Sequence, residues 1–159
     1  ELLPAKMRER LTVVQQAREE DLDPLREAYQ KAGIAAHVAP FFRDLPERIA
    51  KAHLVVARAG ASTVAELMAI GRPSLLVPLP HALDNDQLEN AKRLQEGGGG
   101  WCVRQQELTP ERLAGELQRL LSSPEILAAA AAKGKAMAET EAVRKLADLA
   151  EELARTKAE

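Results

Sequence analysis

Apolar positions along the chain alternate between short β-branched runs and longer stretches with helical spacing. Residues 11–16 (LTVVQQ) read as a strand. Residues 23–33 follow as a helix, with Leu25, Ala28 and Tyr29 on one face and Gly33 as its stop. A weaker strand (34–40) leads to a short helix (43–52) with Pro46 near its start, where proline is tolerated. The clearest strand is 53–58 (HLVVAR), and 62–71 is a helix closed by Gly71. Strand 73–80, helix 85–98, strand 100–104 and helix 108–123 complete the alternation, the last opening with Thr109 as N-cap and Pro110 in its first turn. Beyond Pro124 an alanine-rich stretch and a stripe at Val143, Leu146, Leu149, Ala150 and Leu153 predict a carboxyl-terminal helical segment over 124–155.

Strands alternating with helices predict an α/β fold, a Rossmann-like parallel sheet with helices on both faces. The pattern supplies five strands. The chain starts without methionine, on what reads as the tail of a helix. The expectation is therefore one domain, 1–159, that is a fragment of a longer chain and lacks its first strand.

Composition narrows the classes. With 46% apolar and 29% charged residues, the chain can bury a core. Twenty-two basic against 24 acidic residues give a net charge of −2, which argues against a nucleic-acid partner. The single cysteine, Cys102, rules out an internal disulfide and a multi-cysteine metal site, and no metal is expected. No apolar run approaches the roughly 20 residues that span a bilayer. A cytoplasmic domain is the expectation.

Candidate chemistry gathers at strand ends, where open α/β sheets bind ligands. In 58–66 (RAGASTVAE) a strand feeds a helix through small residues. Gly60 leaves room for close approach, and the amides of Ala61, Ser62 and Thr63 would sit at the positive end of the helix, a seat for phosphate oxygens. Glu66 lies one turn in. The competing reading is a capping box, in which Thr63 caps and Glu66 reaches back. The second stretch, 78–91, carries His81, Asp84, Asn85, Asp86 and Gln87 on a loop entering a helix. These groups suit a hydroxyl-rich ligand, although Asp84 or Asn85 could simply cap. His81 could act as a base but has no partner visible in sequence. Phe41 and Phe42 end a strand; core packing accounts for at least one, and a flat face for a base could account for the other. Arg58 faces either a phosphate or solvent. For the GGGG run at 97–100, turn flexibility is the better account than a phosphate loop. No Walker, G-x-G-x-x-G, H-E-x-x-H or G-x-S-x-G motif is present.

Two segments, R-A-G-A-S-T-x-x-E and P-L-P-H-x-x-x-x-x-Q-x-x-N-A, closely resemble the carboxyl-terminal domain of the MurG family at the expected separation. The resemblance runs from about residue 2 to residue 155. It implies the carboxyl-terminal half of a GT-B glycosyltransferase that adds N-acetylglucosamine to lipid-linked muramoyl-pentapeptide in peptidoglycan synthesis. Residue by residue, it implies that Ala61, Ser62 and Thr63 meet the UDP diphosphate and that Glu66 holds the ribose hydroxyls. Phe42 stands where the family lays a residue beside uracil and reads its edge through backbone groups. Gln87 matches the position that bonds sugar hydroxyls, with Asp86 beside it, where the family often carries another residue. No cofactor is implied, and UDP-N-acetylglucosamine is the expected ligand.

Two departures stand out. The family's G-G-S-x-G loop would precede residue 1, and AREEDLD follows VVQQ where glycine is usual. The resemblance places the lipid-linked acceptor, the catalytic base and peripheral contact with the inner face of the membrane in an amino-terminal domain outside this chain. No catalytic residue is expected here, and the fragment alone should bind donor weakly and catalyse nothing. Two rivals remain: the donor domain of another GT-B glycosyltransferase, or a stand-alone nucleotide-sugar binding module that needs a partner subunit.

Overall fold

The computed structural model describes residues 1–80 and 85–138. A single-turn helix, α1 (Ala5–Arg8), precedes β1 (Thr12–Gln16), α2 (Leu22–Ala32) and β2 (Ala35–Ala39). Then come α3 (Leu45–Lys51), β3 (Val55–Ala57), α4 (Ala61–Ile70) and β4 (Ser74–Leu76). The remainder is α5 (Asp86–Glu96), β5 (Gly100–Cys102), α6 (Pro110–Leu121) and α7 (Pro124–Ala136). The expected order holds throughout. Of the predicted 124–155 helical segment, α7 covers the first part; the stripe from Val143 to Leu153 lies outside the described residues, as do His81 and Asp84.

Caps follow the local chemistry. Gly33 and Gly71 end α2 and α4 in the left-handed region. Thr109 Oγ1 accepts the Arg112 amide at 3.1 Å, with Pro110 in the first turn of α6. The strands are shorter than the apolar runs. β4 stops at Leu76 because the chain reaches Pro78 and Pro80, which have no amide to give a ladder.

All strand pairs are parallel, but they form two ladders rather than one sheet: β1–β2, and β3–β4–β5 with β4 central. Among the described residues, only β4 has a partner strand on both sides; β1, β2, β3 and β5 each keep one free edge. Val14 on β1 and Val56 on β3 are exposed, at 45% and 48%. A parallel pair joined by a crossover need not be neighbours in a sheet, which is why the alternation alone could not locate this break.

β4 is buried along its whole length, and Leu75 and Leu76 are inaccessible. The main core joins Leu76 to Ile49 of α3, Val64 and Leu67 of α4, and Ala91 and Leu94 of α5, with Ala59 in the connecting turn. Each large side chain so buried contributes about 1.5–3 kcal/mol. This packing fixes α4 and α5 beside each other over the ladder.

The glycine run meets the turn expectation at Gly98, which takes φ 73°, and departs from it at the next two positions. Gly99 and Gly100 are there for close approach more than for turn flexibility. A Cβ on Gly100 would lie 2.6 Å from the Ser74 carbonyl oxygen, and one on Gly99 2.7 Å from the Gly134 Cα on α7. The run lets β5 lie against β4 and α7 against the turn before β5.

Candidate functional site

Because β3 and β4 are parallel neighbours, their carboxyl ends lie at one edge, and the turns after them deliver α4 and α5 to that edge. The two candidate stretches therefore come together: Ser62 and Gln87 belong to the first turns of adjacent helices.

The β3–α4 turn is short. Gly60 is the N-cap, with extended backbone angles (φ −61°, ψ 146°) and no side-chain cap. The helix's first bond runs from the Val64 amide to the Gly60 carbonyl at 3.0 Å. The amides of Ala61, Ser62 and Thr63 precede that bond and so lie at the open, positive end of the helix dipole. Ala61 and Ser62 are exposed and Thr63 half-buried. This arrangement removes the capping-box reading of Thr63 and Glu66. Thr63 is the third residue of the helix rather than its cap, so its amide is not where Glu66 would need to reach. Glu66 is half-buried, one turn further along α4.

The β4–α5 connection is anchored on both sides of the undescribed residues 81–84. Arg58 is exposed, but one of its nitrogens is engaged within the protein. Its Nη1 donates to the carbonyls of Val77 and Pro78 at 3.2 and 3.4 Å, tying the end of β3 to the end of β4. The Leu79 amide donates to Gln87 Oε1 at 3.0 Å. A backbone amide can be satisfied only by the oxygen of that side chain, which orients the Gln87 amide group. The Gln87 amide donates to Asp86 Oδ1 at 2.7 Å. Asn85 stands at the N-cap with φ 55° but makes no side-chain cap. One turn beyond Gln87, Asn90 Nδ2 donates to the Ala59 carbonyl at 3.1 Å and bridges the two turns.

The phenylalanines divide. Phe42 is buried, its ring edge-on to His37 (5.1 Å between centroids) and under the Arg48 guanidinium at 4.5 Å. Arg48 also donates to Asp44 Oδ1 at 2.8 Å, which holds the Asp44 carboxyl below the usual carboxylate range. The Phe42 ring thus packs within the protein, whereas Phe41 is 67% exposed. Cys102 is half-buried, and burial raises its thiol pKa, the opposite of an activated nucleophile. Among the described residues no group of His, Cys, Asp and Glu could hold a metal ion, and no helix is long and apolar enough to cross a membrane.

Sequence reasoning gave Asn90 no role and left Arg58 between a phosphate and solvent. Asn90 carried a signal, three residues after Gln87 and so on the same side of α5.

Parallel strands that feed two helix N-termini at one edge define a Rossmann-like α/β domain of the kind that binds ligands there. The chain belongs to the glycosyltransferase family 28 C-terminal domain family, whose model matches residues 1–151. It is 54% identical over 153 residues to the UDP-N-acetylglucosamine–N-acetylmuramyl-(pentapeptide) pyrophosphoryl-undecaprenol N-acetylglucosamine transferase of Brucella anthropi, covering 96% of this chain and 41% of that protein. The protein of the same name from Chelativorans sp. is 52% identical, with the same coverage of 96% and 41%. Among solved structures, MurG of Acinetobacter baumannii matches with a TM-score of 0.80 at 31% identity, over 87% of this chain and 40% of that one. Glycosyltransferase VinC, solved in complex with dTDP, shares the fold at a TM-score of 0.60 and 24% identity, over 95% and 45% of the two chains. The MurG-family resemblance and the α/β fold class are thus borne out. The chain spans 41% of the length of the Brucella relative.

Proposed function

We propose that this chain is the donor-binding part of an inverting N-acetylglucosaminyltransferase that acts on lipid-linked muramoyl-pentapeptide. The observation that carries the reading is the open α4 N-terminus beside the oriented first turn of α5. In this reading the amides of Ala61, Ser62 and Thr63 hold the UDP diphosphate, and Glu66 accepts from the vicinal ribose hydroxyls. The backbone at Phe42 reads the uracil edge, and Gln87, with Asp86 beside it, bonds sugar hydroxyls. As the acceptor's C4 hydroxyl attacks the anomeric carbon, UDP leaves with charge developing on its diphosphate, and the helix N-terminus stabilises that charge.

The names of the relatives favour the peptidoglycan enzyme over other GT-B transferases and over a stand-alone binding module. In the full-length protein the acceptor site and contact with the cytoplasmic face of the membrane belong to the remainder. The test is transfer by that protein to a lipid-linked muramoyl-pentapeptide from a panel of nucleotide sugars. Transfer from UDP-N-acetylglucosamine alone supports the reading; preference for another sugar or acceptor would replace it.

A further inference from the structure

The Ala59 carbonyl sits in a demanding place. Ala59 is inaccessible to solvent and lies between the last residue of β3 and the cap of α4, outside both the ladder and the helix. A buried carbonyl there needs a donor, and leaving it without one is unfavourable. The donor is Asn90 Nδ2 at 3.1 Å, from a residue 31 positions away on α5. A carbonyl accepts only from the NH2 side of an amide, so the orientation of Asn90 is fixed. The same stretch of α5 places Ala91 and Leu94 in the core with Ala59, Val64 and Leu67, so the polar bond and the apolar contact hold the same two elements together.

Gly60, the next residue, supplies no side-chain bond to steady the start of α4. The direction in which the amides of Ala61, Ser62 and Thr63 point is therefore set by what grips the turn from outside. We infer that Asn90 is a positioning residue for nucleotide binding: by holding the Ala59 carbonyl, it aims the α4 N-terminus at the donor diphosphate. This inference rests on the reading of that terminus as the diphosphate seat.

The contact makes a particular prediction about which part of the ligand feels its loss. A residue that touches the sugar would discriminate UDP-N-acetylglucosamine from UDP. One that aims the diphosphate seat affects both equally. Calorimetric titration of the full-length protein with UDP and with UDP-N-acetylglucosamine separates the two. Asn90→Leu keeps the side chain's approximate shape and removes the donor; it should weaken both ligands by the same factor, about 5- to 20-fold. Asn90→Ser restores a shorter donor and should recover part of both affinities. If Asn90→Leu does not fold, the serine variant carries the test, with a smaller but equal loss for the two ligands. A loss confined to the sugar nucleotide overturns the inference, as does a lower melting temperature with both affinities unchanged at a temperature where the variant is folded. A wild-type protein that binds no UDP removes the underlying reading, and the inference with it.

Discussion

Gly99 and Gly134 meet backbone to backbone: a Cβ on Gly99 would come within 2.7 Å of the Gly134 Cα. The relationship is asymmetric. A Cβ on Gly134 would find its nearest neighbour, the Gly99 Cα, at 3.5 Å, an ordinary contact. Gly99→Ala forces α7 away from the turn before β5 and should destabilise by about 1–3 kcal/mol or more, as overpacking does. Gly134→Ala lies inside a helix, where alanine is preferred by about 1 kcal/mol, and should be neutral or stabilising. Urea denaturation of the two variants checks the contrast; equal destabilisation would contradict it.

The two adjacent phenylalanines should also part company. Phe42→Ala empties a buried site and removes the ring from Arg48 and His37, at a cost of about 3–5 kcal/mol. Phe41→Ala, at an exposed position, should stay within about 0.5 kcal/mol of the parent. Thermal or denaturant unfolding measures both.

Asp44 supplies a pH signature. Its carboxyl is held below its ordinary range, chiefly by the hydrogen bond from Arg48. A depressed folded-state pKa means that the contribution is fully present above the unfolded value of about 3.9 and is lost as pH falls through the folded value. Asp44→Asn should therefore be slightly less stable than the parent at neutral pH, with the difference closing in acid. The pair is exposed, so the effect is small and should shrink further in salt. A difference that persists unchanged in strong acid would contradict this.

These residues also mark how far sequence alone reaches. The order of strands and helices, the Thr109 cap and the Gly33 and Gly71 stops were legible because each depends on neighbours a few residues away. So was the placing of the 58–66 and 78–91 stretches at the carboxyl ends of strands, where an open parallel sheet gathers its loops. The cap of α4 was not. Thr63 followed by Glu66 has the spacing of a capping box, but the turn after β3 is so tight that the helix begins at Ala61. The bonds from Asn90 to Ala59 and from Arg58 to Val77, and the Gly99–Gly134 approach, depend on distances between elements far apart in the chain. The break between the ladders was likewise invisible, because an alternating pattern counts strands without stating which of them pair.

The central claim is that Glu66 and the open end of α4 serve the donor nucleotide. The Gly60 cap excludes the capping box, so Glu66 is not held back as the partner of a Thr63 cap. The direct measurement is donor kinetics and melting temperature of the full-length enzyme carrying Glu66→Ala. A hydrogen bond to a charged group contributes about 1.5–3 kcal/mol, so the donor KM should rise about 10- to 150-fold while the melting temperature stays close to the parent's. A donor KM equal to that of the parent would contradict the account.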